Sequence, residues 1–373
     1  MPADTSIRIP RHLLPADGRF GCGPTRVRQS TLDRLAASGS SYMGTSHRQL
    51  TVRHMVGRVR SGLTELFGLP DGYEVVLGNG GASGFWDAAA FGLIERASQH
   101  LKFGAFSSKF VGVVSGAPHL EEPDVIEAAR GTHPMPSPSD RIDLYALTHN
   151  ETSTGVTMPI RRVEADGLTV VDATSAAGAI QVDPSQFDVY FFSPQKAFGA
   201  DGGLYVALCS PRALERIERI AGSGRWIPPF LSLSSAVSQS VKDQTYNTPA
   251  LATIFMLADT VEWMNAQGGL SWSSGRCAAN AAMLYGWAEK HPLADPFVPE
   301  PSMRSPIGAT IDFHPPLSWA HLAATLRANG IVDTEPYHKD GSHLRIGLWP
   351  SIPRSDMEAF IACLEYVIEA TLS

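Results

Sequence analysis

A single lysine stands where the chain could build a reactive amine. Lys196 lies in the segment SPQKAFG, between the apolar runs VYFF and LYVALC, and it is one of only six lysines among 373 residues. Burial lowers the pKa of an amine, and a neutral lysine can attack a carbonyl carbon to form a Schiff base. The setting of Lys196 therefore favours covalent carbonyl chemistry over an ordinary surface turn.

Other residues meet the further needs of pyridoxal phosphate, the cofactor that such a lysine commonly binds. Asp172 ends the apolar run LTVVD and could keep a pyridine nitrogen protonated, while Phe106 could stack on the ring. The loop NGGASG precedes a helical pattern and could present backbone N–H groups to a phosphate. Thr152, Ser175 and Gln195 could add hydrogen bonds. Each feature alone is weak, but the set predicts a pyridoxal-phosphate site.

The elements that must position these residues alternate between strand and helix patterns. Short apolar runs such as YEVVLG, LTVVDATS and VYFFSPQK predict buried strands, and residues at helical spacing lie between several of them. This alternation predicts an α/β fold with a mostly parallel sheet, whose ligands bind beyond the carboxyl ends of the strands. The pattern changes after about residue 265. We predict a large domain over 16–265 and a small C-terminal α+β domain over 266–373, which roughly residues 1–15 join.

Composition excludes several classes of protein. The net charge of −7 gives no support to nucleic-acid binding. No apolar run approaches the about 20 residues of a transmembrane helix, and the N-terminus has no signal-peptide pattern. The four cysteines lack the spacing of a zinc site. We expect a cytoplasmic protein with no metal and no membrane or nucleic-acid partner.

Seven motifs, spread over nearly the whole chain, carry a family resemblance. They are FGCGPTRV, GTSHRQL, GNGGASGFW, HNETSTGV, VVDATSAAG, SPQKAFG and YNTPA. Together they resemble the phosphoserine aminotransferases, class-V pyridoxal-phosphate enzymes with the aspartate aminotransferase-like fold (fold type I). The actinobacterial branch of that family is the most similar.

The resemblance implies a role for each cofactor-site residue. Lys196 would bond to the cofactor and shuttle the proton, Asp172 would pair with the pyridine nitrogen, and Phe106 would stack on the ring. Further cofactor contacts are implied for Ala82, Ser83, Thr152, Ser175, Gln195, Asn247 and Thr248. The last two would reach the cofactor of the neighbouring subunit, which implies a homodimer with its active sites at the interface.

The resemblance also implies the reaction, in which L-glutamate and 3-phosphohydroxypyruvate give 2-oxoglutarate and O-phospho-L-serine in serine biosynthesis. Arg345 resembles the arginine that binds the α-carboxylate, whose two oxygens match the guanidinium fork. His47 and Arg48 resemble the pair that meets the phosphate or the distal carboxylate. His338 and Lys339 stand where many members have His-Arg, and the lysine keeps the charge but loses the fork.

Several alternatives remain open from the sequence. An alanine–glyoxylate type aminotransferase of the same class would not need all four of the residues implied for the distal anion. A cysteine desulfurase would need a mobile catalytic cysteine, for which only Cys22 lies near the expected entrance. A nicotinamide-dependent dehydrogenase should carry G-x-G-x-x-G after its first strand, and this chain does not. A non-catalytic binding module would not need both Lys196 and Asp172.

The sequence also leaves open whether 4-phosphohydroxythreonine, used in vitamin B6 synthesis, is a further substrate.

Overall fold

The computed structural model describes residues 7–337 and 342–373. In this part of the chain the helices are α1 (Gln29–Ser38), α2 (Leu50–Phe67), α3 (Ala82–Gly92), α4 (Ala105–Ser115), α5 (Pro211–Ala221), α6 (Leu233–Ser240), α7 (Leu251–Gln267), α8 (Gly269–Ala288), α9 (Trp319–Ala328) and α10 (Arg354–Leu372). The strands are β1 (Glu74–Asn79), β2 (Ser98–Lys102), β3 (Asp124–Glu127), β4 (Leu144–Thr148), β5 (Asn150–Glu151), β6 (Val156–Thr157), β7 (Leu168–Asp172), β8 (Val189–Phe192), β9 (Leu204–Cys209), β10 (Ala294–Pro296), β11 (Gly308–Phe313) and β12 (His343–Gly347). No helix in the described ranges is long and apolar enough to cross a membrane.

A central sheet of seven strands has the order β1-β9-β8-β7-β4-β2-β3. Its strands from β8 to β3 pair in parallel, whereas β9 runs antiparallel to both of its neighbours. The prediction of an α/β fold with a mostly parallel sheet is therefore confirmed. The register places Asp172 beside Thr148 on one side and Phe191 on the other, so the segments that follow β4, β7 and β8 emerge at the same edge.

Both faces of this sheet are covered by hydrophobic cores. Val171 packs in the cluster that includes Leu257 of α7, and its neighbour Val170 packs in the cluster that includes Phe85 of α3. Successive residues of a strand point to opposite faces, so a strand buried on both sides reads as a continuous apolar run. This explains why LTVVD and VYFF show no polar alternation.

The C-terminal part of the chain forms a second, three-stranded antiparallel sheet. Strands β10, β11 and β12 pack with α8, α9 and α10 around a separate hydrophobic cluster that includes Trp349. Ile9 and Phe20 from the N-terminal segment also belong to this cluster. We propose that the predicted division at about residue 265 describes two domains, because the two sheets have separate cores.

Two features of the helices differ from the sequence-based expectation. The sequence predicts that Pro70 and Gly72 end helix α2, whereas the helix ends at Phe67 and its C-cap residue Gly68 takes the left-handed conformation (φ 57°). Helix α7 has no counterpart in the predicted elements. Ten of its 17 residues are buried, including polar Thr253 and Asp259, so it lacks the single apolar stripe that marks a surface helix.

Candidate active site

Lys196 lies in a tight turn just after β8, and its side chain is only 8% exposed. The turn is closed by backbone hydrogen bonds from Gly199 N–H to the Lys196 carbonyl (2.9 Å) and from Ala200 N–H to the Pro194 carbonyl (3.1 Å). The Lys196 ammonium donates to the carbonyl oxygen of Cys22 at 2.7 Å. Burial lowers the pKa of this amine to about 8, and the Arg345 charge acts in the same direction. The amine is thus neutral at a much lower pH than an ordinary lysine.

The backbone at Gly23 is shaped by this lysine. Its φ of 116° is a backbone conformation that residues other than glycine rarely adopt. A Cβ at this position would lie 2.2 Å from Lys196 Cδ and 2.5 Å from Nζ. The glycine in the motif FGCGPTRV therefore leaves the space that the amine occupies.

Asp172, at the end of β7, is a buried carboxylate whose two oxygens are both held. Oδ1 accepts hydrogen bonds from the backbone N–H of Thr174 (2.9 Å) and its hydroxyl (2.6 Å), and Oδ2 accepts from Trp86 Nε1 (3.1 Å). Within the described residues Asp172 has no ion-pair partner. Burial raises the pKa of this carboxyl, while the bonds from Thr174 and Trp86 lower it. A buried carboxylate without a cation is prepared to meet one that a ligand brings.

Lys196 and Asp172 line one cavity of about 480 Å³, here called the Lys196 cavity. This volume is in the usual range for a small-molecule site. Eight of the ten cofactor residues expected from the sequence line it: Ala82, Ser83, Phe106, Thr152, Asp172, Ser175, Gln195 and Lys196. The side-chain oxygens Asn150 Oδ1 and Gln195 Oε1 are buried and have no hydrogen-bond partner. Such atoms call for a polar ligand, because buried polar groups are almost always paired.

The start of helix α3 forms another wall of this cavity. Gly81, Ala82 and Ser83 line it, with Gly81 as the N-cap residue. The first N–H groups of a helix have no partner inside the helix, and the helix dipole makes this end positive. The loop GNGGASG therefore presents an anion site of the kind that binds phosphate.

Phe106 is held in the first turn of α4 by the buried carboxylate of Glu151. That carboxylate accepts from the backbone N–H groups of Phe106 (3.1 Å) and Ser107 (2.9 Å). The Lys196 Nζ lies 5.8 Å from the centre of the Phe106 ring. The ring thus forms a flat apolar wall beside the amine.

Arg345, on β12, approaches the same region from the small sheet. One guanidinium nitrogen donates to the carbonyl oxygen of Thr152 at 3.0 Å, and Thr152 lines the Lys196 cavity. The guanidinium also lies 5.5 Å from the ring centre of Tyr337. A fixed fork is therefore available next to the cavity.

Four of the expected residues lie outside the Lys196 cavity and form a separate cluster, here called the outer patch: His47, Arg48, Asn247 and Thr248. His47 Nδ1 and the Thr248 hydroxyl are 3.1 Å apart, and Asn247 N–H donates to the side chain of Asn79 (3.3 Å). Arg48 donates to Gln244 (2.8 Å). The expected His338 and Lys339 fall outside the described residues.

Comparison with known proteins assigns the family. Residues 137–338, more than half of the chain, match the family model described as aminotransferase class-V. A curated phosphoserine aminotransferase of Nocardioides sp. strain JS614 is 53% identical over 98% of this chain and 99% of its own length. The chain belongs to the phosphoserine aminotransferase family of class-V aminotransferases. The relative from Rhodococcus jostii, 52% identical over 96% of this chain and 97% of its own, carries the same name.

Solved structures agree with this class-V aminotransferase fold. A phosphoserine aminotransferase from Cytophaga hutchinsonii has a TM-score of 0.87 at 23% identity, covering 94% of this chain and 99% of its own. An alanine–glyoxylate aminotransferase from Nostoc sp. has a TM-score of 0.79 at only 18% identity, covering 98% of each chain. The alternative of an alanine–glyoxylate type enzyme is not favoured. The similarity to that enzyme is 18% identity, whereas the curated relatives at 52–53% identity are phosphoserine aminotransferases.

Pyridoxal phosphate is the cofactor of class-V aminotransferases, and the residues of this chain fit it. The buried amine of Lys196 could bond to the aldehyde of the cofactor. The buried carboxylate of Asp172 could pair with the pyridine nitrogen, and the N-terminus of α3 could bind the phosphate. The unpartnered oxygens of Asn150 and Gln195 supply further polar contacts.

No role was assigned from the sequence to some residues of this cavity, although Asn150 and Thr174 lie in polar segments at the ends of predicted strands. Asn150 lines the cavity and lies inside the motif HNETSTGV, two residues before the expected Thr152, so the motif itself carried a signal. Trp86 and Thr174 hold Asp172. Trp86 is the last residue of the motif GNGGASGFW, but it also lies in an apolar helix pattern, which by itself does not separate it from a core residue.

Proposed function

We propose that this protein catalyses the reversible transfer of the amino group of L-glutamate to 3-phosphohydroxypyruvate, giving 2-oxoglutarate and O-phospho-L-serine. This is the phosphoserine aminotransferase reaction of serine biosynthesis. One observation carries the proposal: the Lys196 amine, the Asp172 carboxylate and the start of α3 meet in one cavity of about 480 Å³. Near-full-length similarity to curated phosphoserine aminotransferases supports the choice of substrates.

Five residues would hold the cofactor. Lys196 would bond to the aldehyde carbon, Asp172 would face the pyridine nitrogen, and Phe106 would lie against the ring. The backbone N–H groups of Ala82 and Ser83 would bind the phosphate. When bound, the cofactor supplies a carbon that takes up the amino group and a ring that accepts the electron pair left at the α-carbon of the substrate.

Lys196 moves the proton of the reaction. With its pKa lowered to about 8, a useful fraction of the amine is neutral near neutral pH and can accept the α-proton of the amino acid. The Lys196 amine donates to the Cys22 carbonyl at 2.7 Å. This hydrogen bond would hold the amine whenever Lys196 is not covalently bonded to the cofactor. A positioned acid–base group of this kind typically contributes about 10²–10⁴-fold to a rate.

Asp172 supplies a fixed negative charge. In its buried position the carboxyl pKa is raised, but a cation directly opposite favours the ionised form. Trp86 and Thr174 hold one oxygen each, so the carboxylate is kept in one orientation. The same residue thus keeps a ring nitrogen protonated and its own charge intact.

Arg345 would bind the α-carboxylate of both amino acids. Its guanidinium is already anchored to the Thr152 carbonyl beside the cavity, which reduces the ordering that substrate binding requires. We assign the distal phosphate or carboxylate to His47, Arg48, His338 and Lys339. The first two would come from the partner subunit.

The outer patch supports a homodimer with shared active sites. Asn247 and Thr248 are exposed and outside the Lys196 cavity. Around the patch the apolar side chains of Leu50 (75% exposed), Met43 and Tyr246 also face outwards. Exposed apolar groups that cluster beside functional residues are typical of a protein interface.

We place the reaction in the cytoplasm. All four cysteines are free and buried, including Cys22 beside the reactive lysine. Free thiols without disulfides are the common state of proteins in reducing compartments.

A spectroscopic experiment tests this function. Purified protein reconstituted with pyridoxal phosphate should absorb in the visible range, L-glutamate should change that spectrum, and 3-phosphohydroxypyruvate should restore it. Lys196→Ala should remove the lysine-bonded absorbance and nearly all turnover, while Lys290→Ala, which changes an exposed lysine, should retain both. A Lys196→Ala variant that keeps both, or a wild type that accepts pyruvate in preference to 3-phosphohydroxypyruvate, would contradict the proposal.

A further inference from the structure

A second cavity, of about 620 Å³, adjoins the Lys196 cavity but contains neither Lys196 nor Asp172. Four charged residues line it, namely Lys102, Lys109, Glu127 and Arg130, and we call it the basic vestibule. Neighbouring residues separate the two spaces. Ala105 and Ser153 line the vestibule, whereas the adjacent Phe106 and Thr152 line the Lys196 cavity.

The vestibule carries an excess of positive charge. Lys102 and Glu127 form an ion pair at 2.7 Å and largely cancel each other. Lys109 is exposed and donates to the phenol oxygen of Tyr337 (2.9 Å), and it forms no ion pair in the described part of the chain. Arg130 is exposed and, within the described residues, forms no hydrogen bond or ion pair. Two positive charges thus remain in a chain whose net charge is −7.

Phe106 and Tyr337 connect this charge to the reaction centre. Lys109 Nζ lies 5.2 Å from the Phe106 ring centre and Lys196 Nζ lies 5.8 Å from the same centre, so the two nitrogens are no more than 11.0 Å apart. Tyr337 packs on Phe106 with ring centres 5.1 Å apart and also faces Arg345. The basic vestibule therefore lies within one small molecule's length of the reactive amine.

We propose that the basic vestibule is an anion-binding entry site, which concentrates substrates with two anionic groups before they reach the Lys196 cavity. The inference rests on the proposed function, whose substrates each pair an α-carboxylate with a phosphate or a second carboxylate. A locally positive cleft on a protein of opposite net charge raises the concentration of anions near it. Because the vestibule is open to solvent, its effect is screened by salt.

Arg130 provides the cleanest test, because its side chain supports no contact that the fold needs. The holoenzyme and Arg130→Gln are compared by kcat/KM for O-phospho-L-serine with 2-oxoglutarate, at low and high ionic strength. For a dianion about 10 Å away in water, loss of one charge should lower kcat/KM about fourfold at low salt. The deficit should fall mainly on KM and shrink as the Debye length drops to about 3 Å at 1 M salt. Glu127→Gln should act in the opposite direction, and Lys290→Gln is the matched control, because it removes an exposed cation that does not line the vestibule.

The outcomes separate the two proposals. A kcat/KM for Arg130→Gln that equals the Lys290→Gln value at low salt overturns the vestibule alone. So does a loss that persists unchanged at high salt, because it would indicate a structural effect. A wild-type enzyme that does not turn over O-phospho-L-serine at all overturns both the vestibule and the proposed function.

Discussion

The Lys196 cavity and the outer patch contain residues expected to serve one reaction, yet they are built differently. In the cavity, Lys196 and Asp172 are buried and their polar atoms are held by neighbours from the same chain. In the outer patch, Asn247 and Thr248 are exposed and their contacts are with Asn79 and His47, which do not line the cavity. The chain alone therefore brings together most of the residues expected to hold the cofactor, whereas part of its expected substrate site lies outside that cavity.

The physical reason for the difference is the cost of burial. A charged group such as Lys196 or Asp172 is tolerated in the interior only because its turn, its hydrogen bonds and a ligand compensate for lost hydration. Arg48 and Thr248 remain hydrated in the protomer and need no such support. An exposed group can therefore contribute to a site that only a second subunit would complete. A buried catalytic group needs its compensating contacts from its own chain.

The strongest test of the cavity side of this comparison is Asp172→Asn. The amide keeps the shape and its oxygen can still accept from Thr174, but its NH2 group cannot accept from Trp86 Nε1 and the neutral side chain cannot pair with a cation. Breaking a buried ion pair costs about 3–5 kcal/mol, so kcat should fall about 10²–10⁴-fold. Steady-state rates measure this loss, and the visible spectrum should show that the cofactor is still bonded to Lys196. Near-normal kcat in this variant would contradict the role of Asp172.

Beside the Lys196 cavity, Arg345→Gln should weaken binding of both substrates alike. Loss of a charge-assisted bond to the α-carboxylate costs about 1.5–3 kcal/mol, so KM should rise about 10- to 100-fold for L-glutamate and O-phospho-L-serine. Arg345→Lys keeps the charge but loses the guanidinium fork, so its KM values should lie between those of the wild type and of Arg345→Gln. A loss confined to O-phospho-L-serine would show that Arg345 serves the phosphate instead.

Mixed dimers sharpen the comparison directly. Lys196→Ala and Arg48→Gln should each impair activity as homodimers. If Arg48 serves the partner's cavity, each mixed dimer has one site with both changes and one intact site. Random mixing should then restore about one quarter of the wild-type rate. Co-expression with two different tags isolates the mixed species, and a mixed dimer without recovered activity would place Arg48 in its own protomer's site.

The smallest expected effect is a pH-dependent change in the stability of the cofactor-free protein. The folded-state pKa of Lys196, about 8, lies below its ordinary value of 10.5. Between these values the unfolded chain binds more protons than the folded one, so this residue makes the free energy of unfolding rise with pH. Lys196→Met should therefore be more stable than wild type below pH 8, with a gap that narrows towards pH 10.5 in denaturant titrations. A gap that does not vary with pH would mean that the amine is not buried as described.

The fold and the cavity were the more predictable parts of this molecule. Asp172 ends one short buried strand, and Gln195 and Lys196 come after the next strand along the chain. The rule that parallel strands end at one edge brings them together. The alternation of strands and helices likewise indicated the sheet. Helix α7 was missed because it is apolar on most of its surface, and that pattern carries no helical stripe.

The outer patch could not be derived from local pattern. His47 and Thr248 are 201 residues apart in the chain, and no periodicity relates them. They were expected only from the motifs GTSHRQL and YNTPA. Trp86 was given no role for a different reason, since it lies in an apolar helix pattern and its bond partner Asp172 is 86 residues away in the chain.

One measurement tests the central claim most directly. The holoenzyme is reduced with borohydride, which fixes the cofactor to the amine that holds it, and the digested protein is examined by mass spectrometry. The cofactor's mass should appear on the peptide that contains Lys196 and on no peptide of the other lysines, such as Lys109 or Lys290. A label on another lysine, or no label in a protein that still turns over L-glutamate, would contradict the account.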